Sequence, residues 1–104
     1  MPFTGNEDQS ISLTDAAKLT KNYRATAGTG AVLGGYFSKY SLNQILDQAS
    51  CVGVRIYYAR EDNGNHQFVV VGVTANQNDL YQDEIMEHTF TCPPFCSTPN
   101  PLNS

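Results

Sequence analysis

The chain is predicted to be an α+β domain in which an antiparallel meander of about three to four strands is covered by two helices. Three observations carry that prediction. Residues 52–60 and 67–75 hold most of the β-branched and aromatic side chains, as strands do. Between them Asp62-Asn63-Gly64-Asn65 is the strongest turn signal in the chain, so the two runs form a hairpin. Two other stretches, 11–24 and 41–49, repeat apolar residues at helical spacing behind a serine that can cap the first turn. At 104 residues the chain has room for one modest core. Residues 11–104 are therefore expected to form a single domain, with 1–10 a mobile N-terminal tail and 92–104 a proline-rich C-terminal tail.

The first helix is expected over Ile11 to Arg24. Ser12 caps it, Asp15 favours its positive end, and Ile11 stands where a staple residue would. Leu13, Ala16, Ala17, Thr20 and Tyr23 form one stripe, expected to lie on the sheet. Ala25 to Gly35 is glycine-rich, but it lacks the Lys-Ser/Thr pair of a phosphate loop and the third glycine of a dinucleotide fingerprint. It reads as a connection, with a short strand near Val32 to Phe37 extending the meander. A second helix opens at Ser41 with Gln44 completing a capping box and runs to about Ala49. Too short to stand alone in water, it must dock on the hairpin.

In the first strand Val52, Val54, Ile56 and Tyr58 share one face, and Gly53, Arg55, Tyr57 and Ala59 the other. The second strand carries apolar groups on both faces, which places it centrally with a neighbour on each side. Gly72 within it marks a bulge or a close approach by a neighbouring group. Asn76 to Asp79 is a turn, without the spacing of a calcium loop. Glu84 to Thr91 alternates as a third, edge-like strand, and its charges would discourage pairing with other chains.

Ten acidic against six basic side chains give a net charge of −4, which argues against nucleic acid or an anionic membrane as the main partner. No window reaches the length of a membrane span, and Met1 to Ser10 lacks the basic start and apolar stretch of a signal peptide. A cytoplasmic location is expected. No catalytic or cofactor motif is complete anywhere, so no catalytic residue and no cofactor are assigned.

The cysteines leave three alternatives open. Cys92 and Cys96 flank Pro93-Pro94-Phe95 in a stretch that prolines make extended or turned. They could be structural thiols, a disulfide closed by a tight reversal, or ligands of a metal together with His88 and, more remotely, His66 or Cys51. A redox pair would prefer two intervening residues at a helix start. Cys51 most simply fills a small buried site.

Ile11-Ser-Leu-Thr-Asp-Ala-Ala17, Val54-Arg-Ile-Tyr-Tyr58, Val69-Val-Val-Gly-Val73 and Cys92-Pro-Pro-Phe-Cys96 with the terminal Ser-Thr-Pro-Asn-Pro-Leu-Asn together resemble a family of small, uncharacterised bacterial proteins of Bacteroidetes type. The resemblance covers most of the chain and implies no activity, cofactor or site residue. Because no nucleophile, base and orienting group stand at recognisable spacing, the leading expectation is a non-catalytic binding or self-association module whose contact surface is the face carrying Arg55, Tyr57 and Phe68. The alternatives are a metal-binding or thiol-redox protein using the C-terminal cysteine pair, and an enzyme whose site sequence does not reveal. The expected partner class is protein, with any small-molecule ligand unspecified.

Overall fold

Glu61 to Asn65 turn the chain back on itself: the Glu61 N–H donates to the Asn65 carbonyl at 2.8 Å and the Asn65 N–H to the Asn63 side chain at 3.0 Å. In the computed structural model, which describes all 104 residues, this turn joins the two longest strands. In chain order the elements are α1 (Leu13–Ala27), β1 (Gly34–Tyr36), α2 (Lys39–Leu46), β2 (Cys51–Arg60), β3 (His66–Thr74), β4 (Ile85–Met86) and β5 (Phe90–Cys92). The chain is α+β with an antiparallel meander, and it has two sheets, ordered β2-β3-β4 and β1-β5. By contacts it divides into two compact units interleaved in sequence: residues 1–7 with 37–89, and residues 8–36 with 90–104.

The first unit holds the three-stranded sheet and α2. β3 is central, as its two apolar faces require, and Val70, Val71 and Val73 are buried along it. Ile45 of α2, which packs against β2 and β3, is fully buried. The cap of α2 lies one turn earlier than expected: Ser38, extended at φ −70° and ψ 155°, accepts from the Ser41 N–H. Ser41 therefore sits inside the helix, not before it. A bulge falls at Val52, because Cys51 pairs with Thr74 while Gly53 pairs with Val73. The extra residue reverses the side-chain alternation, so Cys51 shares the face of Val54 and Ile56.

Gly72 is the close approach that its position suggested. A Cβ there would stand 3.0 Å from Cys51 Sγ, 3.0 Å from Gln48 Nε2 and 3.2 Å from Leu80 Cδ1. The first residues join the same unit: the Phe3 N–H donates to the Ala75 carbonyl at 2.8 Å, and Phe3 is half-buried. Glu7 accepts from the Thr4 and Gly5 N–H groups, holding Gly5 in a left-handed conformation (φ +82°) against the Val52 carbonyl. A side chain at Gly5 would be strained and would meet that oxygen at 2.8 Å.

The third strand expected over Glu84 to Thr91 is interrupted. β4 ends at Met86, His88 takes a positive φ of 59°, and β5 begins at Phe90. A side-chain bridge follows the break, where the Gln67 amide donates to the Thr89 carbonyl at 3.4 Å and accepts the Thr89 N–H at 3.1 Å. It serves Thr89 as a strand backbone would.

The second unit holds α1 and the small sheet. Ser12 caps α1 as expected, its hydroxyl accepting from the Asp15 N–H at 3.1 Å. The helix buries no residue completely: Ala16, Ala17 and Thr20 are half-covered, while Leu13 and Tyr23 on the same stripe stay exposed. The stripe's middle is built of small residues, which limits the apolar area it can cover. The short strand expected near Val32 to Phe37 exists as β1, yet it pairs with β5 instead of extending the meander. Tyr36, Phe90 and Phe95 form an aromatic row over that pair, with ring centroids 6.0 and 5.3 Å apart. The C-terminus is tied back by Arg24, which donates to the Leu102 carbonyl at 2.7 Å and to the Ser104 carbonyl at 3.3 Å.

Candidate functional site

The expected contact residues Arg55, Tyr57 and Phe68 all lie on the β2–β3 hairpin, but they do not share a face. Arg55 pairs with Val71, Tyr57 with Val69, and Phe68 with Tyr58. Paired residues of an antiparallel ladder point to the same side, so Phe68 belongs with Tyr58, Ile56 and Val54 on the face opposite Arg55 and Tyr57. Alternation within each strand is local, whereas the match between strands depends on the loop that sets their register. Sequence alone grouped Phe68 wrongly for that reason.

On the first face, Arg55 and Tyr57 are committed to Asp79. Arg55 Nη1 forms an ion pair with Asp79 Oδ1, and the Tyr57 hydroxyl donates to Oδ2 at 2.5 Å. Arg55 Nη2 also donates to the Gln77 carbonyl at 3.3 Å. The Tyr57 hydroxyl, then Arg55, hold the Asp79 carboxyl below its ordinary pKa. Conversely, the carboxylate pushes the Tyr57 phenol and the Arg55 guanidinium above theirs. This triad braces the turn after β3 onto β2. Each carboxylate oxygen is engaged by one donor and the Arg55 charge is balanced by Asp79, so the arrangement works as a brace.

The other face is covered toward β3, where Val70 beside Ile56 is buried, and exposed along β2. Tyr58 is 91% exposed and Ile56 55% exposed, and Tyr58 leans on Phe68 with ring centroids 6.2 Å apart. β2 is also an edge strand, paired only with β3. Its hydrogen-bonding phase follows from the turn: with Glu61 bonded to Asn65, the odd-numbered residues of β2 aim their backbone groups at β3. The far side of β3 agrees, since even-numbered Gly72 and Thr74 bond outward to Leu80 and Asn78. The N–H and C=O groups of Val54, Ile56, Tyr58 and Arg60 therefore point away from the sheet.

The cysteine alternatives resolve in favour of a bridge. Cys92 and Cys96 are joined by a disulfide with Cα atoms 4.7 Å apart, within the range of about 4.4–6.8 Å that a bridge requires. Both thiols are thereby consumed, and nowhere do three or more His, Cys, Asp or Glu side chains converge to hold a metal. His88 stands almost fully exposed beside Glu87, and His66 is exposed at the start of β3. Cys51 is a half-buried free thiol donating to the Gly53 carbonyl at 3.2 Å.

In the second unit, a depression of about 200 Å³ is lined by Leu19, Thr20, Tyr23, Arg24, Leu33 and Leu102, below the roughly 300–1,000 Å³ usual for ligand pockets. Its one charge, Arg24, is already engaged by backbone carbonyls. No helix is long and apolar enough to cross a membrane. Comparison with protein-family models, curated proteins and solved structures finds no match to the chain.

Proposed function

We propose that the protein is a non-catalytic binding or self-association module acting through β2, and that its kinship lies with the tail-bearing bacterial family its sequence resembles. One observation carries the functional reading: a ten-residue edge strand presents unpaired backbone groups beside exposed Ile56 and Tyr58. Such an edge is a template for a further strand. The charged chemistry that could have served catalysis, at Arg55, Tyr57 and Asp79, is spent on bracing the fold. Amide NMR tests the reading, with either the protein concentration raised or an extended peptide of alternating Val and Thr added. Shifts should concentrate at Val54, Ile56, Tyr58 and Arg60. If neither titration moves them, the reading fails.

A second reading, thiol-redox chemistry, is favoured by the Cys92–Cys96 bridge. Reduction would add two electrons and two protons and open the S–S bond to two thiols. A bridge that stays closed belongs to an oxidising compartment, whereas one that opens and closes is the kind found in the cytoplasm, so this reading requires a bridge that cycles. Equilibration with glutathione buffers, read as a two-hydrogen mass change, tests it; a bridge that stays closed across cytosolic poise would remove it.

A further inference from the structure

We infer that the occupant of the β2 edge is a second copy of this chain, paired antiparallel about a two-fold axis at Tyr57, so that two three-stranded sheets become one sheet of six strands. This rests on the binding reading above and names its partner. The free edge runs from Val54 to Arg60 and is stopped at both ends. On one side Gly5 backs onto the Val52 carbonyl; on the other, Glu61 turns back into its bond with Asn65. A longer extended partner would run into Gly5, whereas a second β2 has the same free length and the same two stops.

The midpoint of that stretch is Tyr57. A two-fold axis there sets Ile56 against Tyr58 of the second copy, Val54 against Arg60, Arg55 against Ala59, and Tyr57 against itself. All four outward residues of each strand then exchange N–H and C=O bonds, eight in the dimer, in the alternation that antiparallel pairing demands. Charge agrees with this register. The only charged residues on the stretch are Arg55 and Arg60, and neither meets a like charge. An axis at Arg55 would oppose two arginines. On the face opposite Arg55 and Tyr57 the pairing gathers two Ile56–Tyr58 contacts, the aliphatic–aromatic cross-strand pairs that stabilise sheets. Closure by a two-fold axis pairs the β2 edges of both copies at once and leaves only the two-residue β4 at each end of the sheet.

An edge of this length buries little surface, so the dimer belongs with weak interfaces whose dissociation constants are roughly micromolar. Sedimentation velocity over about 1 μM to 1 mM should show a monomer–dimer equilibrium. Ile56→Pro should weaken it at least ~10-fold, because the lost N–H points out of the sheet and the bonds to β3 remain. Register is tested by oxidative cross-linking in a Cys51→Ser background. Tyr57→Cys should form a covalent dimer alone, its Cα atoms facing at about 4.5 Å across the axis. Val54→Cys alone should not, being displaced by about 20 Å, but should cross-link when mixed with Arg60→Cys. A chain monomeric throughout, or cross-linking through Ile56→Cys or Val54→Cys alone, overturns the inference. Should the Val-Thr peptide still shift the even-numbered β2 amides in a monomeric chain, the binding reading survives and only the second copy is lost.

Discussion

Replacing Gly72 by alanine reports directly on how β3 meets its neighbours. In an open strand the change would help by about 0.5–1 kcal/mol, since alanine loses less backbone entropy on folding. Here the new methyl would sit 3.0 Å from both Cys51 Sγ and Gln48 Nε2, well inside a comfortable separation of about 3.5–4.0 Å. Neither neighbour can swing clear. Gln48 is held at both ends, donating to the Ile45 carbonyl at 2.9 Å and accepting the Glu84 N–H at 3.1 Å. Cys51 is a short side chain fixed beside the bulge. Overpacking of this kind costs about 1–3 kcal/mol, so the net effect of Gly72→Ala is a loss of about 1–2 kcal/mol. For a domain of this size that lowers Tm by roughly 5–15 °C. Urea denaturation of the parent, Gly72→Ala, Cys51→Ala and the double variant forms a cycle in which removing Sγ should return about 1 kcal/mol. A Gly72→Ala variant as stable as the parent, or a cycle without coupling, would refute the packing argument.

Ile45→Ala should cost about 2–5 kcal/mol by leaving a cavity under α2, while its half-exposed neighbour Leu46→Ala should cost under about 1 kcal/mol; chemical denaturation of both checks the order. The Asp79 brace predicts pH dependence at both extremes. Its folded pKa is depressed, so its contribution is present above about pH 4 and is lost as pH falls through the folded value. The Tyr57 pKa is raised, so that group's contribution is present below about pH 10 and is lost as pH climbs through the folded value. Asp79→Asn should flatten both arms of a urea-midpoint profile, whereas Tyr57→Phe should abolish the alkaline arm and only lessen the acid one. Opening the Cys92–Cys96 bridge removes a short loop constraint of about 2 kcal/mol, so the Cys92→Ser, Cys96→Ser double variant should melt earlier and ignore reductant, while Cys51→Ser should respond to reductant as the parent does.

Much of the first unit could be read without coordinates. Alternation in 52–60, apolar groups on both sides of 67–75 and an Asn-Gly turn between them are local signals, and together they specify a hairpin with β3 inside. The helix at α1 was equally legible, because Ser12, Asp15 and a repeating stripe act within one or two turns. Even Gly72 announced a crowded position, although not what crowded it.

Relations between distant residues were decided only in the tertiary structure. The bulge at Val52 put Cys51 on the face where it meets Gly72, and the β2–β3 register put Phe68 across the sheet from Arg55; neither depends on the period of a single strand. The commitment of Arg55 and Tyr57 to Asp79 joins residues 22 and 24 positions apart, a pairing that no spacing rule encodes. β1 found its partner in β5, with Gly34 opposite Cys92, and the broken strand at His88 lets the chain leave one sheet and enter the other. Local sequence thus determined which segments are strands and helices, since propensity, capping and turn chemistry act over a few residues. Which edges remained free was settled by long-range pairing, because a backbone group is unpaired only after every other segment has taken its place.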